Sequence, residues 1–238
     1  MWYNNYMAVL ELFNTPLYSD ASLVSYYRLE NVNDTKGFKN LINTGSVAFN
    51  TAKFNNGADC STVGGRYLEA SSFALGSGNF SLVCWFKCNT ATPSTSGGAI
   101  MYNQNASSIT KILIDYLTVS GVKTLTFNKI RQAISNDNIA YAIDLGTSSF
   151  YHLAFTYNGT NLVAYVNGVS VGSTASTSGN GTGSITDGFR IGNYVDFDVP
   201  GMGITDDAAV FSRALTASEV SSLYTGNFTN STAMMAFF

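Results

Sequence analysis

Charge is what this sequence has least of. Asp, Glu, Lys and Arg make up 11% of its 238 residues, against a usual share of about 25%. Solvation therefore falls to Ser, Thr, Asn and Gly. The same shortage excludes a nucleic-acid partner, because a net charge of −3 with no basic stripe leaves nothing to replace phosphate counterions. No apolar run approaches about 18 residues, which excludes a membrane-spanning helix. The opening "MWYNNYMAVLELFNTPLYSD" has no basic n-region and carries Glu11 in its apolar part, so it does not read as a secretion signal. The expectation is a mature or excised piece, or a chain that reaches the outside by another route such as lysis.

Cysteine, histidine and glutamate are also scarce. Of the three cysteines, Cys84 and Cys88 lie in "NFSLVCWFKC", which alternates as a strand and sets them about 13 Å apart on one face. A disulfide needs Cα atoms within about 7 Å, so these two do not pair with each other. Cys60 has either as a possible partner, but the expectation is buried free thiols. One histidine and no other close cysteine pair give no zinc motif. The four glutamates, Glu11, Glu30, Glu69 and Glu219, are far apart in sequence.

Apolar residues, by contrast, are plentiful at 45%, enough for a sizeable core. They fall into many short alternating runs divided by Gly/Asn/Ser clusters. The clearest is residues 148–173. Tyr151, Leu153, Phe155 and Tyr157 share one face there. "NGTN" turns the chain, Leu162, Ala164 and Val166 alternate next, and Asn167-Gly168 turns it again. Asn and Gly tolerate the positive φ of tight hairpins, so this is a three-stranded antiparallel meander. "KILIDYLTV" and "KTLTFNKI" flank a turn at Ser120-Gly121. Many antiparallel strands of this kind make a two-sheet sandwich, since each sheet must hide one face. Near the end, Thr216 and Glu219 have the spacing of a capping box, with Val220 and Leu223 apolar and Gly226 as a stop, predicting one short helix. Residues 1–20 read as an N-terminal arm, 21–226 as the sandwich and 227–238 as a C-terminal tail.

Three motifs in order carry a resemblance. "FRIGNYVDFDVPGMGITDDAAVFSRALTASEVSSLY" resembles the end of a laminin-G-like domain of the concanavalin A-like superfamily, at Asp206, Asp207, Phe211, Arg213, Ala214, Leu215, Glu219 and Tyr224. "YHLAFTYNGTNLVAYVNGVSVGS" resembles its central meander, and Trp85 in "NFSLVCWFKC" stands where that family has a Trp. Asp34 and Gly37 resemble its opening. Tyr151 stands where the family has a Trp, and the segment 99–147 aligns with no motif. The resemblance covers residues 22–226 and implies an all-β fold, a jelly-roll β-sandwich of two curved antiparallel sheets with one short C-terminal helix.

Candidate site residues are few. Retaining glycosidases of the superfamily need two carboxyl groups about 5–5.5 Å apart. Asp206 and Asp207 are adjacent, so on a regular strand they face opposite sides. His152 lacks an evident carboxylate partner and reads as structural. Asp196 and Asp198 in "NYVDFDVPG" are the calcium candidates, since hard cations want clustered oxygens. Asp206, Asp207 and Arg213 suggest an internal ion pair, and Thr216 and Glu219 cap the helix. No catalytic residue is assigned. The expected function is a non-catalytic surface or structural module of an extracellular assembly, foremost a virion decoration or tail-associated protein. It would sit extracellularly or on the virion surface, with protein neighbours and itself as homo-oligomer partners. The alternative is a glycan-binding adhesion or lectin module of a secreted protein, and the third reading is a glycoside hydrolase.

Overall fold

Period-two alternation lays down fifteen strands among the described residues. The computed structural model describes residues 12, 15–37, 39–61, 65–71, 75, 78–95, 98–104, 110–131, 135–177, 188–193 and 201–226. Among these, in chain order, lie β1 (Leu23–Tyr27), β2 (Ile42–Thr44), β3 (Ala48–Thr51), β4 (Asn56–Asp59), β5 (Tyr67–Ala70), β6 (Phe80–Cys88) and β7 (Ala99–Gln104). There follow β8 (Thr110–Val119), β9 (Val122–Arg131), β10 (Ser135–Ala142), β11 (Tyr151–Tyr157), β12 (Asn161–Val166), β13 (Val169–Ala175), β14 (Phe189–Ile191) and β15 (Gly203–Phe211). The single α-helix among the described residues is α1 (Ala217–Thr225), and a 3-10 turn, Pro16–Ser19, precedes β1.

The strands form two antiparallel sheets. The eight-stranded sheet runs β13-β12-β11-β6-β15-β4-β3, with β1 also paired to β15. The seven-stranded sheet runs β10-β9-β8-β7-β14-β5-β2. The expectation of curved sheets is corrected here: both are open ladders, neither curled nor closed, and among the described residues no pairing joins the outer strands β13 and β3, or β10 and β2. The core fills the space between the layers. Phe80, Leu82, Cys84 and Phe86 of β6, with Leu153, Phe155 and Tyr157 of β11, face Ile112, Ile114, Leu125, Phe127 and Phe189 of the other sheet. Burial of such side chains is worth about 1.5–3 kcal/mol each. Cys60, Cys84 and Cys88 are free and buried in this layer, and burial pushes the Cys60 thiol up to about 12.

The outer face of the eight-stranded sheet is covered. Val220 and Leu223 of α1 pack with Leu12, Leu17, Leu23, Tyr26, Val83 and Phe211 in a second apolar cluster. The helix starts where the Thr216 Oγ1 accepts from Glu219 N–H at 3.2 Å and the Thr216 N–H donates to Glu219 Oε2 at 2.7 Å. It stops at Gly226, in the left-handed region at φ 72°. Of the expected arm, only Leu12 and residues 15–20 are among the described residues, and the expected tail lies outside them.

Candidate functional site

The outer face of the seven-stranded sheet carries a groove of about 410 Å³ along β8, flanked by β9, β10 and β7. Its lining follows from alternation. Ile112, Ile114 and Tyr116 of β8 point into the core, so Lys111, Leu113, Asp115 and Leu117 line the outside. On β9 the inward Leu125 and Phe127 leave Thr126, Asn128 and Ile130 outside, and β10 adds Asn136 and Asn138. Cross-strand register aligns these side chains in rows. One row crosses the whole sheet: Asn138 opposite Asn128, then Leu113, Tyr102, Arg190, Glu69 and Ile42.

The polar part of that row is tied together. Asn138 Nδ2 donates to Asn128 Oδ1, and Asn128 Nδ2 donates to Thr126 Oγ1 at 3.0 Å. Each amide is thereby oriented by its neighbour, and Asn138 reaches the solvent-exposed rim. Beside them in the same row, the buried Leu113 and Tyr102 pack with Ala99 and Ile130 as an apolar patch. Asp115 is buried and its Oδ1 accepts from the Gly98 N–H at 3.0 Å. Farther along the row, Arg190 Nε donates to Glu69 Oε1 at 3.0 Å, and its guanidinium lies 4.0 Å from the Tyr67 ring centroid. The geometry sets oriented amide and hydroxyl groups beside apolar side chains, which is how small-molecule sites fix orientation.

The residues singled out from the sequence lie elsewhere. Asp196 and Asp198 fall outside the described residues, and among the described residues no group of three or more His, Cys, Asp or Glu is placed to hold a metal ion. Arg213 does not pair with Asp206 or Asp207. Its guanidinium binds Asp20 Oδ2 at 2.5 Å and Glu219 Oε1 at 2.6 Å, joining the N-terminal segment to the helix cap. Hydrogen bonds from Arg213 and Thr216 hold the Glu219 carboxyl below its usual range. Burial works to raise Asp20, but hydrogen bonds from Arg213 and Ser22 outweigh it and lower that carboxyl too.

Asp206 and Asp207 also break the alternation expected of them. The register of β15 against β6 shifts between Asp206 and Ala209, and Asp207 has φ 50°. This is a β-bulge, in which one extra residue re-aims the side chains. Asp206, opposite Trp85, accepts from the Phe54 N–H at 2.8 Å. Asp207 accepts from the Leu12 N–H at 3.1 Å and from the Tyr26 hydroxyl. Both therefore serve the covered outer face of the eight-stranded sheet, and both are buried. Burial, with Asp207 adding to it against the Phe54 hydrogen bond, pushes Asp206 up to about 8. His152 is buried beside Trp85, with ring centroids 5.2 Å apart and Tyr224 at 6.2 Å. Among the described residues its Nδ1 has no hydrogen-bond partner, and burial holds the imidazole down to about 3.

The groove went unread because segment 99–147 matches no motif. Its signal was nonetheless present, as polar residues at every second position: Thr124, Thr126 and Asn128, then Asn136 and Asn138. A strand whose other face is apolar shows such residues on its outside.

Comparison with known proteins agrees with this architecture. A family model described as the concanavalin A-like lectin/glucanases superfamily matches residues 62–221. No curated protein sequence matches the chain. Among solved structures, domain 4 of AbnA, a GH43 extracellular arabinanase from Geobacillus stearothermophilus, in complex with arabinotriose, is similar with TM-score 0.65 and 19% identity, covering 85% of this chain and 98% of that one. The binding domain of Paraclostridial Mosquitocidal Protein 1 is similar with TM-score 0.69 and 13% identity, covering 85% of this chain and 52% of that one. The binding domain of Botulinum neurotoxin DC, in complex with rat synaptotagmin II, gives TM-score 0.66 and 16% identity, covering 86% and 51%. The chain thus spans about half the length of these toxin binding domains. These neighbours are a domain of an extracellular enzyme and binding domains of toxins, and none is a particle component. The virion decoration or tail-associated role expected from composition is corrected on that finding. A low charge content and a polar-uncharged surface suit secreted binding modules equally, so composition did not discriminate. With a two-sheet sandwich, a capped final helix and a family model running over more than half of its length, the chain belongs to the concanavalin A-like lectin/glucanases superfamily.

Proposed function

We propose that this chain is a non-catalytic, glycan-binding module that acts outside the cell, with the groove along β8 as its site. The observation that carries this reading is the Asn138–Asn128–Thr126 hydrogen-bonded ladder in a groove that also presents the half-buried Leu117 and Ile130. A sugar presents hydroxyls that both donate and accept, together with apolar C–H faces. Amides match the first and apolar side chains the second. Side chains already held in place lose little entropy on binding, which favours affinity. Domain 4 of AbnA, similar in fold, is described in complex with arabinotriose, which supports a glycan as the ligand class.

A hydrolytic role fits less well. Among the described glutamates, Glu69 binds Arg190, Glu219 caps the helix and binds Arg213, and Glu30 accepts from Asn55 at 3.0 Å. The bulge brings Asp206 and Asp207 to one side, but beneath covering residues where no sugar reaches them. The test is a glycan array followed by titration of the best neutral oligosaccharide. Asn128→Ala and Asn138→Ala should each weaken binding by about tenfold, about 1.4 kcal/mol. Val169→Ser, on the exposed edge of the other sheet, should leave binding unchanged. Unaltered affinity in both asparagine variants rejects the groove as the site. We place no cation in the groove, so binding should survive chelation. Loss of binding in EDTA would move the site to Asp196 and Asp198.

A further inference from the structure

Four large apolar side chains are exposed among the described residues: Ile42, Val119, Val122 and Val169. Ile42 and Val169 stand singly on the edge strands β2 and β13, and scattered apolar residues are ordinary on a surface. Val119 and Val122 are different. They face each other across the turn at Ser120-Gly121, 45% and 51% exposed, and Val119 lines the groove together with Leu117. The apolar pair is therefore continuous with the groove.

Cross-strand register sets the chemistry along the groove. At one end Asn136 lies opposite Ile130 and Lys111, and the next row joins Asn138, Asn128 and Leu113. A third row joins Ala140, Thr126 and Asp115. Toward the turn the rows become Ala142, Thr124 and Leu117, and then Val122 and Val119. Successive rows on one face are about 7 Å apart, so the valines lie about 20 Å from the asparagine pair. Thr124 is the hydroxyl at that end, and it donates to the carbonyl of Val122 on its own strand at 3.0 Å. Lys123, which alternation points away from the groove, is paired with Asp144 at 2.7 Å.

One half of the groove thus presents amides, and the other half presents apolar surface. A free oligosaccharide is polar along its whole length and would set its hydroxyls against valines, where they find no partner. A sugar joined to an alkyl or aryl group matches both halves, because the apolar group gains by leaving water. We infer that the ligand is a glycoside with an apolar aglycone, its sugar held at Asn128 and Asn138 and its aglycone lying on Leu117, Val119 and Val122. This inference rests on the glycan-binding reading and adds to it the class of ligand.

Calorimetric titration of the whole chain tests it. The probes are the methyl and n-octyl glycosides of arabinobiose, xylobiose and cellobiose, each below its micellar concentration. For the sugar bound best, the octyl glycoside should bind about tenfold tighter than the methyl glycoside. Val119→Ser with Val122→Ser should bring the two within about twofold and leave the methyl glycoside's affinity unchanged. Ala142→Asp, on the exposed face of β10, sets a charge beside the same end and should also weaken only the octyl glycoside. Val169→Ser, exposed on the other sheet, should keep the full preference. Equal binding of both glycosides by the unaltered chain, or a preference that survives both the paired valine change and Ala142→Asp, overturns the inference while leaving a glycan-binding module. Failure of every probe to bind overturns the module and the inference together.

Discussion

At the scale of single residues, two buried titratable groups pull stability in opposite directions with pH. The His152 imidazole is held down to about 3 from 6.5 by burial. The unfolded chain therefore binds a proton below pH 6.5 that the folded chain refuses, and this contribution is lost as pH falls from 6.5 toward 3. Asp206 is the reverse case, raised by burial from 3.8 to about 8. Its contribution is fully present below 3.8 and is lost as pH rises through 8. Between 3.8 and 6.5 the two slopes cancel, and from 6.5 to 8 only the Asp206 slope remains. Urea denaturation should show stability falling by about 1.4 kcal/mol per pH unit in that upper window. Asp206→Asn should flatten the fall, and a slope that persists in this variant would mean that another group carries it. Neither pKa was legible in the sequence. Asp206 is one of two adjacent aspartates there, and only the bulge at Asp207 and the cover over β15 bury it beside Trp85.

At the scale of elements, local chemistry and tertiary contact meet at α1. The Thr216 and Glu219 pair is a local signal, readable because a cap needs only residues three apart. Thr216→Ala should cost about 1 kcal/mol, measured by chemical denaturation, with the fold retained. What the helix covers is not local. Tyr224 lies 5.9 Å from Trp85, ring centroid to centroid, and α1 also meets the β12–β13 turn. There Gly168 has φ 77° and a Cβ would lie 3.1 Å from Tyr224. Gly168→Ala therefore combines a strained backbone with a contact under the helix, and should destabilise by more than the about 1 kcal/mol expected for the φ alone. An equal or smaller loss would mean that Tyr224 moves aside freely. The sequence marks this turn as Asn167-Gly168 but does not show that the late helix α1 rests on it.

At the scale of the whole molecule, β6 is the strand on which the larger sheet is built. It pairs with β11 along seven positions and with β15 on its other side, across the bulge. Its inward side chains are core and its outward Trp85 supports the helix face. Hydrogen exchange should be slowest in β6, β11 and β15 and faster in the edge strands β2 and β3, since buried central ladders open only with global unfolding. Equal protection across the sheet would contradict this. The opposite layer carries the groove, in which Tyr102, Leu113 and Asn128 are buried while Asn136 and Asn138 are exposed. Its outer face carries the oriented amides and the exposed rim at Asn136 and Asn138.

The sequence by itself determined what depends on neighbours along the chain. Period-two alternation declared the strands, Asn-Gly pairs declared the tight turns, and the three-residue spacing of Thr216 and Glu219 declared the helix start. Only the tertiary structure decided what depends on register between distant strands. It set Tyr102 beside Arg190 and Arg190 beside Glu69, placed Asn138 opposite Asn128, and turned Arg213 toward Asp20 and Glu219. The physical reason is that a strand specifies which side chains share its face, while the partner that lies across from each is fixed by how the sheets assemble.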